Sequence, residues 1–373
     1  MHLQRRSLLL AAATAPAAAG LPAPASASAS TASASASVEE PGARRPLVIG
    51  HRGAAGWRPE HTAAAYTYGV QTGADWIEPD LVPTRDHVLV VRHENEISQT
   101  TDVAGHPEFA DRRTTRTVDG RSVTGWFTED FTLAELKTLR AVERLPLVRN
   151  RNTVFDGREE ILTFQEVVDL ARRLSKAHGR TIAAFPETKH PTYFRSIGLE
   201  LEPELVRLIG RNRLGPRECV VQSFEPTSLR RVAAARPGVP LWQALGTTGG
   251  PYDLVSGGDP TTYRDMMTPA GLARIAEYAD WIGPDRTSVV PVGADGRLGA
   301  PTTLVADAHA AGLRIGPYTF RAENQFLPAD FRRGGGANDF GDAFAEYALY
   351  YRLGVDAVVT DFPDLAATAR RDR

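Results

Sequence analysis

Between Leu47 and His93 the chain reads LVIGHRGAAGWRPEHTAAAYTYGVQTGADWIEPDLVPTRDHVLVVRH. Among its residues, His51 and His93 at strand ends, Arg52 beside the first of them, and the carboxylates Glu78 and Asp80, one residue apart, form a chemically suggestive set. Together they could bind a divalent metal, hold a phosphate and shuttle a proton. On an extended strand, side chains at i and i+2 leave the same face. Two carboxylates that close repel unless a proton or a cation lies between them. A hard cation with oxygen ligands, Ca2+ or Mg2+, fits the pair; two separate surface salt bridges are the plain alternative. Pro79 removes a backbone donor and makes the strand irregular there. Glycines flank His51-Arg52 and let a ligand approach the backbone. Arg52 can grip a phosphate through two parallel hydrogen bonds, and a histidine can act as general acid or base near neutral pH. Glu187 and Lys189 repeat the i, i+2 pattern in Phe185-Pro186-Glu187-Thr188-Lys189. Glu187 could complete a metal shell and Lys189 neutralise a phosphate oxygen; a surface ion pair is the alternative. His61, His87, His106, His178, His190 and His309 lack such company and are read as structural.

Such groups need a scaffold that gathers strand ends. Strands are predicted at 47–51, 76–82, 181–187, 218–224, 239–245, 281–284, 314–320 and 357–361, with a further extended piece at 88–93. Helices are predicted at 62–71, 163–178, 202–213, 227–236, 269–279, 302–311 and 342–353. The helix at 163–178 is the clearest, with Phe164, Val167, Val168, Ala171 and Leu174 at three- and four-residue steps. About eight strand–helix units predict an α/β fold, the (β/α)8 TIM barrel. A doubly wound open sheet also alternates. The barrel is favoured because no Gly-x-Gly-x-x-Gly follows the first strand and polar residues end many different strands. Residues 95–160 are too long and polar for a plain loop. They predict a small inserted subdomain over the barrel mouth, after the second strand unit, with only 133–139 helical. Residues 246–265 and 332–338 are read as loops.

A length of 373 residues suits one barrel with an N-terminal extension. Hydrophobic content of 42% and charged content of 24% are those of a soluble globular chain. A formal net charge of -2 leaves no footprint for nucleic acid. The single Cys219 excludes an internal disulfide and a cysteine-built zinc cluster. Arg5-Arg6-Ser7, the apolar run 8–19 and the Ala/Ser sites that follow describe a secretory signal of twin-arginine type, a route that exports folded proteins. The apolar run is too short to span a bilayer. Residues 1–43 are therefore read as signal peptide and low-complexity lead-in, and 44–373 as the barrel, expected outside the cytoplasm with no transmembrane span.

Seven ordered motifs run through almost the whole of 45–373: Gly50-His51-Arg52-Gly53, Pro59-Glu60-His61-Thr62, Gly73-Ala74-Asp75, Glu78-x-Asp80, Val90-Val91-x-His93, Pro186-Glu187-x-Lys189 and Thr360-Asp361-Phe362-Pro363-Asp364. Together they resemble the glycerophosphodiester phosphodiesterase family, in its secreted or periplasmic bacterial branch. Residues 278–285 and Pro317-Tyr318-Thr319 resemble that branch as well. The resemblance implies a TIM barrel holding one divalent cation, Ca2+ ahead of Mg2+, on Glu78, Asp80 and Glu187. It implies His51 and His93 as the acid/base pair, Arg52 and Lys189 on the phosphate, Tyr318 at the substrate, and Glu60 orienting the first-strand loop or a histidine. The implied reaction is hydrolysis of small glycerophosphodiesters to sn-glycerol 3-phosphate and an alcohol. It runs by attack of the glycerol 2-hydroxyl, with a cyclic phosphate that water then opens. Two departures stand out: Glu94 follows His93 where the family has Asp, and Thr188 takes a place often apolar. One rival is the same barrel acting on a glycerol-phosphate teichoic acid or a lyso- or sphingophospholipid. A membrane substrate would need an exposed apolar rim, for which Trp126-Phe127 and Phe326-Leu327 are the candidates. The other rival, an inactive secreted binding protein, would lack a ligand or a histidine, and none is missing.

Overall fold

The computed structural model describes residues 45–235 and 237–371; the expected signal peptide and lead-in lie outside the described residues. The strands are short: β1 (Leu47–Gly50), β2 (Trp76–Ile77), β3 (Asp80–Pro83), β4 (Leu89–Val91), β5 (Thr114–Val118), β6 (Arg121–Gly125), β7 (Ala183–Ala184), β8 (Glu187–Thr188), β9 (Val221–Ser223), β10 (Leu241–Leu245), β11 (Trp281–Pro284), β12 (Arg314–Ile315) and β13 (Ala357–Thr360). One ladder runs β13-β1-β2-β7 and a second β12-β11-β10-β9-β8-β3-β4. All neighbours in them are parallel except β3 and β4. Bridges at Ala184–Cys219 and Phe320–Thr360 link the two ladders. The chain is a (β/α)8 TIM barrel.

Two of the predicted strands are each broken in two. The stretch 76–82 becomes β2 and β3, and 181–187 becomes β7 and β8. Each break contains a proline, Pro79 or Pro186, which has no N–H to give the ladder. The halves change ladder at the break: β2 pairs with β1 and β7, whereas β3 pairs with β8. The barrel interior is filled by Ile49, Phe185, Val220, Trp242, Trp281, Ala357 and Val359. Trp242 stacks on Trp281 with ring centroids 4.9 Å apart. It fits because Gly283 and Gly316 face it; an added Cβ would come within 2.1 and 2.2 Å of the indole. A second, larger apolar layer is formed where helices cover the strands. The helix Phe164–His178 shows why: Thr163 and Glu166 form a capping box, Phe164, Val167, Val168, Leu170, Ala171 and Leu174 are buried, and Gly179 ends it at φ 61°.

Residues 95–160 carry the hairpin β5–β6, which turns at Asp119-Gly120 with both φ angles positive, and one turn of α-helix, Leu133–Leu136. They also carry 3-10 turns at Val103–Gly105, Pro107–Arg112, Thr128–Asp130 and Asn150–Phe155, so helical structure is not confined to 133–139 as expected. The helix predicted at 133–139 is itself shorter. Short helices Tyr252–Ser256 and Tyr263–Met266 stand where a loop was expected. Trp126, Phe127 and Leu327 are buried, so the proposed apolar rims do not form. No helix among the described residues is long and apolar enough to cross a membrane.

Candidate active site

Where β1 ends, the chain turns sharply. Arg52 and Gly53 have φ 56° and 92°, and Gly53 N–H closes onto Gly50 O at 3.0 Å. A Cβ on Gly53 would strike the Ala65 backbone at 2.7 Å. This turn sets His51 and Arg52 side by side. His51 Nδ1 hydrogen-bonds Asp361 Oδ1, while its Nε2 lies 3.9 Å from Glu78 Oε2. Asp361 is itself gripped by Arg149 Nη2 at 2.5 Å and Arg321 Nε at 3.0 Å. Burial pushes the His51 pKa down to about 4, against the pull of Asp361. Although burial opposes it, Arg149, His51 and Arg321 hold the Asp361 carboxyl well below the usual carboxylate range.

The second imidazole follows β4. His93 Nδ1 lies 2.7 Å from Glu94 Oε1, and its Nε2 lies 3.3 Å from Lys189 Nζ. Burial, with Arg52 and Lys189 adding to it, lowers the His93 pKa to about 3. Both histidines are therefore neutral at pH 7.

The broken strands deliver the carboxylates. Glu78, Asp80 and Glu187 are buried and present ligand atoms within 4.8 Å of one another. Glu78 accepts from Arg52 N–H at 3.1 Å and Gln222 Nε2 at 2.7 Å. Asp80 Oδ2 accepts from His61 Nε2 at 2.9 Å, while Asp80 Oδ1 is buried with no hydrogen-bond partner. Glu187 lies 2.9 Å from Lys189 Nζ. Burial, then Asp80 and Glu187, push the Glu78 pKa well up. Burial raises Glu187 to about 7 even with Lys189 beside it. Asp80 is buried too, yet His61 holds it well below its ordinary value. Three converging buried carboxylates with an unpaired oxygen are a donor set that a metal ion fits.

Arg52 Nη1 donates to Glu60 at 2.7 Å, and Arg144 Nε donates to the same oxygen at 2.8 Å. Glu60 thus holds the arginine and hydrogen-bonds no histidine. His61, read as structural, instead supports Asp80. His51, Arg52, Glu78, His93, Glu187 and Gln222 share one cavity of about 210 Å³ with Phe224, Trp242 and Tyr318. The Tyr318 hydroxyl donates to Leu245 O at 3.0 Å. A larger cavity of about 450 Å³, beside Trp57, Arg149 and Phe340, contains none of the histidines or the three carboxylates. Sequence reasoning gave no role to Gln222, Arg149, Arg321 or His190. Asp361 was visible only as part of a motif.

A parallel barrel that collects two imidazoles, three carboxylates, an arginine and a lysine at the C-terminal ends of its strands has the site of a barrel enzyme acting on an anionic ester. Comparison with known proteins makes this definite. The chain belongs to the Glycerophosphoryl diester phosphodiesterase family, whose profile matches residues 51–365. It is 35% identical over 333 residues to the glycerophosphodiester phosphodiesterase GDPD6 of Arabidopsis thaliana, covering 85% of this chain and 84% of that one. It is 26% identical over 344 residues to the glycerophosphodiester phosphodiesterase of Haemophilus influenzae, covering 85% and 88%. Among solved structures, a phosphodiesterase of Oleispira antarctica in complex with the product sn-glycerol-3-phosphate superposes with a TM-score of 0.55 at 18% identity, covering 88% of this chain and 97% of that one.

Proposed function

We propose that the protein is an exported, metal-dependent glycerophosphodiester phosphodiesterase that releases sn-glycerol 3-phosphate and an alcohol by acid–base chemistry at His51 and His93. The observation that carries this reading is the convergence of both imidazoles on the cavity that holds Arg52 and the buried carboxylates. The product held by the Oleispira protein supports the choice of substrate. Glu78, Asp80 and Glu187 would hold the cation. Ca2+ is preferred to Mg2+, which demands near-ideal octahedral geometry. Bound there, a divalent ion supplies Lewis acidity to a phosphoryl oxygen.

The chain's own groups do the rest. Arg52 and Lys189 meet the non-bridging oxygens, as a forked donor and a point charge. Asp361 accepts the His51 Nδ1 proton and leaves Nε2 free to take the proton of the glycerol 2-hydroxyl. As the O2–P bond forms, the P–O bond to the alcohol breaks and His93 protonates the departing oxygen. The bound phosphodiester's negative charge favours the protonated imidazole that this step needs. Water then opens the cyclic phosphate with the proton roles reversed. The twin-arginine-like start supports export. Release of sn-glycerol 3-phosphate from glycerophosphocholine tests the reading. His51→Ala and His93→Ala should each lose at least about 100-fold in kcat with unchanged circular dichroism. Near-native turnover by either variant would refute the assignment.

A further inference from the structure

We propose that His190, anchored by Asp119 of the β5–β6 turn, positions His93 through Glu94. Glu94 uses both carboxylate oxygens: Oε1 lies 2.7 Å from His93 Nδ1 and Oε2 lies 2.9 Å from His190 Nε2. His190 Nδ1 in turn lies 2.5 Å from Asp119 Oδ2. The result is one continuous chain of charge-assisted contacts, Asp119–His190–Glu94–His93. Its first member comes from the hairpin and its second from the residue after Lys189. The Glu94 side chain is 51% exposed. Held only at its His93 end, it would keep much of its rotamer freedom and carry the imidazole with it. His190, its side chain 16% exposed, fixes the other end.

Both nitrogens of His190 face carboxylates, an arrangement that requires a doubly protonated ring. Consistent with this, hydrogen bonds to Asp119 and Glu94 outweigh burial and raise its pKa to about 9. His190 therefore serves as a fixed cation that aims the glutamate, and it is placed to act on His93 without touching substrate. The backbone is committed to the same geometry: Asp119 and His190 have φ 47° and 48°. In this region Asn, Asp and His are the side chains best tolerated after glycine.

The proposal rests on His93 transferring a proton, and the test separates the two claims. Steady-state hydrolysis of glycerophosphocholine is measured for His190→Gln, Asp119→Asn, Glu94→Gln, the His190→Gln/Glu94→Gln double variant and His93→Ala. Loss of a group that orients a functional imidazole typically costs about 10–100-fold in activity, so kcat should fall by that factor in His190→Gln. KM should stay within about threefold, because the lost interaction serves the transition state rather than binding. Asp119→Asn, which removes a charge without changing size, should move kcat in the same direction by less. The double variant should be no slower than Glu94→Gln alone, since the two residues act through one contact. Native kcat in His190→Gln and Asp119→Asn, with His93→Ala inactive, would overturn the positioning role alone. Losses that multiply in the double variant would do the same. Turnover retained by His93→Ala would overturn the proton-transfer reading and this proposal with it.

Discussion

The two imidazoles owe their resting neutrality to burial, but different residues hold them in place. His51 depends on Asp361, which carries the charge of two arginines as well. Asp361→Asn cannot hold the Nδ1 proton as a carboxylate does, and it leaves Arg149 and Arg321 short of a partner. It should lower kcat by at least about 10–100-fold. A variant with native kcat would show that the Asp361 contact is only structural. At His190 the linkage runs the other way in pH. A histidine raised from 6.5 to about 9 stabilises the fold fully below pH 6.5 and loses that contribution as pH rises through 9. In urea unfolding, the stability gap between the wild type and His190→Gln should therefore narrow from pH 6.5 to 9. A gap that stays constant across this window would contradict the raised pKa.

At the scale of elements, the prolines at 79 and 186 let two strands serve two ladders and bend their carboxylates inward. The types Glu78, Asp80, Glu187 and Lys189 were legible in the sequence because each lies in a short local motif. The irregularity at Pro79 was legible as well, but the break at Pro186 and the change of ladder at both prolines were not, since strand pairing depends on tertiary contact. Glu60 and His61 were visible too, but which atom each would meet depended on tertiary contact. The partners of the site were still less legible. Arg149 reaches Asp361 across 212 residues, and no local pattern marks it. The β5–β6 hairpin was missed because its strands are Thr- and Arg-rich and mostly exposed, without the apolar alternation that identifies a strand. Trp242 links core to site, since it fills the barrel and also lines the cavity. Gly283→Ala would drive a methyl into its indole. This should cost about 1–3 kcal/mol of stability and alter KM as the ring shifts. Denaturant unfolding and steady-state kinetics would check both, and an unperturbed variant would mean the ring has room to move.

For the whole molecule, the barrel concentrates three negative groups in a buried space where burial and mutual repulsion already push two of them towards protonation. The β5–β6 hairpin and Arg144 and Arg149, all within 95–160, contact the site at three points: Asp119 through His190 and Glu94, Arg144 through Glu60, and Arg149 through Asp361. A cation on Glu78, Asp80 and Glu187 should stabilise the fold by mass action, raising Tm with concentration. Asp80→Asn should flatten that response. The most direct measurement is sn-glycerol 3-phosphate release from glycerophosphocholine by protein stripped with a chelator and then resupplied with Ca2+ or Mg2+. Release should vanish on stripping and return with Ca2+ before Mg2+. Undiminished release by the fully stripped protein would contradict a metal-dependent phosphodiesterase.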